Sequence, residues 1–228
     1  MNILFYSTSL SFKYLFHSFK KIKKYNSKIK IGLIYFKPKP GESSFHEREN
    51  ENLLRKKNKK FNFHVFNIHC YKKLNKVNYN YLKNFEKNSN QFNIWKMISA
   101  DRVYGRSYIS DISDESYKSK YNDEYYKEIL SDFEILAKQI ERIFVRFSPD
   151  YFYIPNGLSN IEVSIIDSLA KKFNTKILVP ETTKFKNYFY FSDSIHLQNT
   201  KIKKFFSNLK KIPETKKKIV DNLYQEVF

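Results

Sequence analysis

The sequence predicts an α/β protein with a doubly wound, mostly parallel sheet flanked by helices. Three observations carry that reading. A strand-like run opens the chain at residue 2, strand-like and helix-like stretches then alternate, and residues 150–179 spell out a complete strand–helix–strand unit. In that unit residues 150–154 are aromatic and β-branched, with Pro149 before them and Pro155-Asn156-Gly157 as a stopping turn. Ser159-Asn-Ile-Glu162 has the spacing of a capping box, in which the hydroxyl accepts from a backbone N–H and the carboxylate reaches back. Ile161, Ile165, Ile166, Leu169, Ala170 and Phe173 then recur at helical spacing. Asn174 offers a stop, and residues 175–179 begin a second buried strand that ends before Pro180. Parallel strands need such a crossover, so the unit reads as βαβ.

The other elements follow in order. Residues 2–6 form the first strand, and Ser7-Thr8-Ser9-Leu10-Ser11 is a polar turn. Phe12, Leu15, Phe16 and Phe19 mark the inner face of a helix ending in Lys20-Lys21-Ile22-Lys23-Lys24, where positive charge complements the helix dipole. With a strand over 30–36, residues 1–36 make a second βαβ unit. A Pro- and Ser-containing loop spans 37–44, a charged helix covers about 44–59, and a third strand covers 62–68. A short helix is expected over 79–85. The segment 91–108 carries the single tryptophan, Trp95, and the group Asp101-Arg102-Val103-Tyr104-Gly105-Arg106. Residues 111–122 read as a polar loop. A long amphipathic helix occupies 123–147, with Ile129, Phe133, Leu136, Ile140, Ile143 and Phe147 on one face. Residues 181–199 read as an aromatic, polar connection, and 200–228 as one or two lysine-rich helices broken near Pro213. The expected division is an α/β domain over 1–200 and a helical extension over 201–228, leading towards a second domain.

A chain of 228 residues with 22 Phe and 18 Tyr can bury a substantial core, and only 4 Gly and 6 Pro argue against a linker-rich or collagenous protein. One cysteine, Cys70, excludes an internal disulfide framework and reads as a small buried hydrophobe in a reducing compartment. The net charge of +19 would suit an anionic partner. The cations are mostly Lys rather than Arg, whose planar fork suits phosphate, so the excess reads as compositional bias of an AT-rich genome and nucleic acid is not expected. Met1-Asn2 leads straight into the first strand without a signal-peptide pattern, and no run approaches a membrane span. The expectation is a cytoplasmic protein able to rest on the inner membrane surface through its charge.

Motif chemistry is sparse. No G-x-G-x-x-G follows the first strand, and neither a Walker loop nor a G-x-S-x-G elbow is present. His17, His46, His64, His69 and Cys70 lack metal-ligand spacing, so neither metal nor cofactor is expected. In doubly wound sheets ligands bind beyond the carboxyl ends of the strands. That rule singles out Ser7, Thr8, Ser9 and Ser11, as hydroxyls for an anionic or sugar ligand or simply as a turn and cap. Asn156 and Gly157 allow close backbone approach to a ligand, or form an ordinary tight turn. Glu181 could hydrogen-bond sugar hydroxyls or cap the next turn. His46 and Glu47 could supply a base for a hydroxyl, or be solvated charges on a surface helix. Asp101, Arg102 and Arg106 form either a ligand contact or a structural ion pair, in a chain where Arg is scarce.

Met-Asn-Ile-Leu-Phe-Tyr-Ser at the start, the Trp95…Asp101-Arg102 segment and Ser148-Pro-Asp-Tyr…Pro-Asn-Gly…Leu-Ala-Lys-Lys-Phe-Asn-Thr-Lys-Ile-Leu-Val-Pro-Glu181 together resemble the N-terminal half of a GT-B glycosyltransferase of bacterial surface or capsular polysaccharide synthesis. The resemblance covers most of residues 1–182 and implies a Rossmann-like domain that holds a saccharide acceptor. In that family a second domain holds the nucleotide-sugar donor, and transfer generally needs no bound metal. The family's glycine-rich loop after the first strand is replaced here by Ser-Thr-Ser-Leu-Ser, and the donor-binding E-x₇-E pattern would lie in the second domain. The other reading is a non-enzymatic Rossmann-like module that binds an anionic polymer or assembly partner through its basic surface.

Overall fold

The computed structural model describes residues 1–7, 12–37, 45–69, 74, 76–88, 93–100, 123–155, 160–182 and 189–192. The elements in chain order are β1 (Asn2–Ser7), α1 (Phe12–Tyr25), β2 (Lys30–Lys37), α2 (Phe45–Phe61), β3 (His64–His69), α3 (Tyr79–Asn88) and α4 (Ile94–Ala100). They continue as α5 (Asp123–Phe147), β4 (Tyr151–Tyr153), α6 (Ile161–Lys172), β5 (Lys176–Thr182) and β6 (Phe189–Ser192). The expected helices over 200–228, the loop 111–122 and Cys70 lie outside the described residues.

The strands form one six-stranded sheet in the order β3-β2-β1-β4-β5-β6. β1 pairs in parallel with β2 and with β4, β2 with β3, and β4 with β5, whereas β6 runs antiparallel to β5. The protein is therefore α/β with a mostly parallel sheet, as the alternating pattern predicts. From β1 the chain builds outwards to β2 and β3, then returns to the other side of β1 to lay down β4 and β5.

Alternation along the strands separates two cores. On one face Ile3, Phe5, Ile31, Leu33 and Tyr35 meet Leu15, Phe16 and Phe19 of α1 and Leu54 of α2. On the other, Leu4, Tyr6, Ile34, Ile68, Phe152, Ile154, Ile177 and Val179 meet the apolar stripes of α3, α4, α5 and α6. α5 supplies Ile129, Phe133, Leu136, Ile140, Ile143 and Phe147, the face read from its 3.6-residue period.

In a chain with so few glycines, helix stops fall to other residues. Asn62, Ser148 and Asn174 follow α2, α5 and the C-cap of α6, with φ of 47°, 48° and 51°. This is the left-handed conformation that ends helices, which Asn tolerates better than most non-glycine residues. The Asn2 side-chain amide donates to Phe147 O and Ser148 O at 2.9 and 3.1 Å, satisfying carbonyls at the end of α5 while fixing the start of β1.

Several sequence expectations are corrected. The N-cap of α6 is Asn160, not Ser159: its Oδ1 accepts from Val163 N at 2.9 Å, so Glu162 falls one position too early for a capping box. β5 does not stop before Pro180 but runs to Thr182. Lys176 N–H and Leu178 C=O both bond towards β4, so by alternation the missing donor of Pro180 faces that side, beyond the last β4 pair, Tyr153 with Leu178. β3 begins at His64 rather than 62, because Asn62 ends α2 and Phe63 N–H donates to Asn58 Oδ1. The connection read over 181–199 contains β6, and 91–108 contains α4. Among the described residues no helix is long and apolar enough to cross a membrane.

Candidate functional site

The strand order reverses between β1 and β4, and the crevice beyond their carboxyl ends is the position where an open α/β sheet can admit a ligand. Tyr6 stands at the end of β1, buried, with its ring edge-on to Phe36 at 5.5 Å. Across the reversal, Asn160 closes the connection from β4 to α6. Its Nδ2 donates to the Tyr6 hydroxyl at 3.3 Å while its Oδ1 caps the helix. One half-buried side chain thus joins the two βαβ units at their carboxyl ends and fixes where the positive end of the α6 dipole lies. The Tyr6 hydroxyl and the Asn160 amide are thereby engaged with each other and with the helix start, beside the positive end of the α6 dipole.

Asn160→Ala removes the cap and the link to Tyr6, and should lower stability by about 1 kcal/mol. Asn160→Ser keeps a capping oxygen and should recover most of that loss. Urea unfolding of the two variants checks both values; equal losses would mean that the cap contributes little.

Of the sequence-predicted residues, Ser7, Glu181 and the backbone of His46 and Glu47 are described, each at the carboxyl edge of the sheet. Ser7 ends β1, its backbone in register with Tyr35, and its side chain lies outside the described residues, as do Thr8, Ser9 and Ser11. Asn156, Gly157, Asp101, Arg102 and Arg106 are likewise outside them. His46 and Glu47 lie in the first turn of α2, at the carboxyl end of β2, with side chains outside the description. Glu181 is half-buried near the carboxyl end of β5, in register with Tyr190 of β6, and shares the strand face of Ile177 and Val179. The sequence marks Tyr6 only as a strand residue and Asn160 only as the second residue of a capping box. An Asn at the helix start, taken as the cap, was the available signal.

A cavity of about 890 Å³ opens at the opposite, amino-terminal edge of the strands, lined in part by Met1, Phe144, Asp150, Tyr151, Asn174 and Lys176. Two of its polar side chains are engaged by the fold: Asp150 Oδ2 accepts from Asn2 N–H at 2.7 Å, and Thr175 Oγ1 donates to Pro149 O at 2.8 Å. This edge is a seam joining β1, β4 and β5.

Polar side chains of α5 organise the connection after β3. Gln139 pairs both backbone groups of His69, donating to its carbonyl and accepting from its N–H at 3.0 Å each. The Ser131 hydroxyl accepts from Leu74 N–H at 3.2 Å, and the buried Glu134 carboxylate accepts from Asn78 N–H at 2.7 Å. Tyr81 of α3 donates to Glu141 Oε2 at 3.1 Å, and Lys172 of α6 reaches Glu141 Oε1 at 2.6 Å, so one carboxylate ties three helices together. Burial first, and then the negative charge of Glu141, push the Tyr81 hydroxyl far above its ordinary value of 10.0.

The folded state therefore holds the Tyr81 proton more tightly than the unfolded chain. Its stabilisation is complete below about pH 10 and is lost as the pH rises above that value, where only the unfolded tyrosine ionises. Tyr81→Phe should cost about 1 kcal/mol at neutral pH. It should also flatten the alkaline fall in stability, read from urea midpoints on either side of the tyrosine range; an unchanged alkaline slope would contradict this assignment.

Comparison with protein-family models, curated proteins and solved structures found no match in any of the three.

Proposed function

We propose that this chain is a Rossmann-like, doubly wound acceptor-side domain of a glycosyltransferase-like protein of surface polysaccharide synthesis. The observation that supports the reading is the reversal of strand order between β1 and β4, with Tyr6 and Asn160 joined across it by a hydrogen bond. Tyr6 and Asn160 are neutral hydrogen-bonding residues, which suit a saccharide better than a multiply charged ligand. The resemblance of residues 1–182 to the N-terminal half of a GT-B enzyme agrees with that preference. In the proposed reaction an acceptor hydroxyl gives its proton to His46 or Glu47, and its oxygen bonds to the anomeric carbon of the donor. The bond from that carbon to the phosphate oxygen breaks, and the nucleotide leaves with its charge met by dipoles and cations of a donor-binding domain.

Saccharide binding to the chain itself tests the acceptor half of the reading. Saturation-transfer NMR against a panel of surface-polysaccharide oligosaccharides should identify a ligand whose binding weakens about tenfold in Asn160→Ser, the loss of one hydrogen bond of ~1.4 kcal/mol. No binding by the wild-type chain, or binding indifferent to Asn160, would overturn it.

A further inference from the structure

Lysine is abundant throughout the sequence, yet the fold does not distribute its charge evenly. The helices on one face of the sheet, α1 and α2, hold eleven Lys and Arg residues against three acids. The helices on the other face, α3 to α6, hold nine of each and are neutral. All three acids of the basic layer, Glu47, Glu49 and Glu51, lie in the first half of α2. Residues 20–30 and 55–60 contain ten lysines, Arg55 and no acid, and all are exposed except the half-buried Lys23 and Lys57. Compositional bias alone would load both layers alike.

The topology brings these stretches together. β2 and β3 are adjacent parallel strands, with Gly32 in register with His64, and α1 and α2 run down to their starting ends. Phe63, just past α2, packs its ring against Phe16 and Phe19 of α1 at 5.9 and 5.1 Å. The basic halves of both helices therefore share one corner, at the edge of the sheet opposite the β1–β4 crevice. At the end of α1 the Tyr25 side chain is 90% exposed beside Lys23 and Lys24. Four lysines in the last turns suffice to complement the two helix dipoles. The remainder is surplus to the fold.

We infer that this corner is a docking surface for an anionic lipid bilayer. Most of these cations lie on two helices packed side by side, which among the described residues form a broad surface rather than one element set to enter a nucleic-acid groove. Lys is a compact point charge that needs no fixed geometry, which suits a field of mobile headgroups better than a bidentate phosphate contact. An exposed tyrosine among the lysines suits the headgroup level. Docking here leaves the crevice facing away from the bilayer, so both can be occupied together. The inference is independent of the transfer reading.

Co-sedimentation with phosphatidylglycerol-containing and pure phosphatidylcholine vesicles tests it. The protein should bind the first and not the second, with partitioning reduced about five-fold for each corner lysine neutralised. A variant with Lys20, Lys21, Lys59 and Lys60 changed to Gln should therefore lose more than about a hundred-fold. A variant with Lys83, Lys87, Lys96 and Lys127 changed to Gln removes the same charge from the opposite layer and should lose only a few-fold, since exposed charges are screened beyond about 8 Å at physiological salt. The single tryptophan supplies a readout without mutation: Trp95, on α4 in the opposite layer, should escape quenching by brominated lipid. The inference fails if wild-type protein ignores anionic vesicles, if the two quadruple variants lose binding alike, or if Trp95 is quenched on docking. It also fails if duplex DNA displaces the protein from vesicles at equal phosphate concentration.

Discussion

Phe144→Ala is expected to destabilise the protein by about 3–5 kcal/mol. Phe144 is fully buried near the end of α5. Its ring lies parallel to that of Phe152 in β4, with centroids 5.6 Å apart and an interplanar angle of 8°, and 5.7 Å from Phe173 after α6. One side chain thus joins the long helix, the short central strand and the crossover helix. Three elements must close around the space that alanine leaves, and β4, held in register by β1 and β5 on its two sides, is not free to shift inwards. The loss would be a large share of a typical 5–15 kcal/mol domain stability. Urea unfolding should show a lowered midpoint with an unchanged slope, which marks a change in stability rather than in the denatured state. Val145→Ala, one residue on and 63% exposed, should stay within about 0.5 kcal/mol. A Phe144→Ala cost near that of Val145→Ala would remove this ring from the core.

The strongest periodic signals predicted the fold best. α5 occupies the residues marked by its apolar stripe, because seven turns of 3.6-residue period leave little room for another reading. Both βαβ units carried enough local pattern to be read without their partners. β6 carried too little: its four residues are held by a register with β5 that no local sequence expresses, and Phe191 remains 48% exposed. Pro180 looked like a stop because a proline usually disqualifies an inner strand. That rule fails where the neighbouring strand has already ended, and the length of β4 was not legible at that precision. The α6 cap moved by one residue because Ser159 and Asn160 are both good caps, and only the backbone conformation chooses between them.

The carboxyl edge of the sheet was legible as a place, without any chemistry attached to it. Strand ends could be located from sequence, so Ser7, Glu181 and the first turn of α2 fall at the predicted edge. The hydrogen bond between Tyr6 and Asn160 joins residues 154 positions apart, and it follows from the β1–β4 pairing, which sequence order alone does not fix. Charge behaved similarly. The sum of +19 is visible in composition and reads there as bias. The imbalance among the described helices, eight net positive charges (11 − 3) on α1 and α2 against none (9 − 9) on α3 to α6, emerges only once α1 and α2 are placed on the same face.

Gly32→Val tests a close approach between α5 and the sheet. A Cβ at Gly32 would stand 2.9 Å from Leu4 Cδ1, 3.0 Å from Phe147 Cζ and 3.0 Å from Phe66 Cε2, so side chains of three elements already fill the space. The Phe147 ring also meets Phe66 and His64 edge-on at 5.5 and 5.9 Å, which seats the end of α5 over β2 and β3. Alanine should cost about 1–3 kcal/mol through overpacking, outweighing the few tenths to ~1 kcal/mol gained by restricting the unfolded chain. Valine adds two methyl groups in the same space and should cost more. Because the strain is local, Phe147→Leu should offset part of the Gly32→Ala loss, and a double-mutant cycle should return a coupling of at least about 0.5 kcal/mol. Strict additivity, or a stabilising Gly32→Ala, would mean that α5 does not rest on β2 through this contact, and the glycine would then be only a flexible residue in a strand.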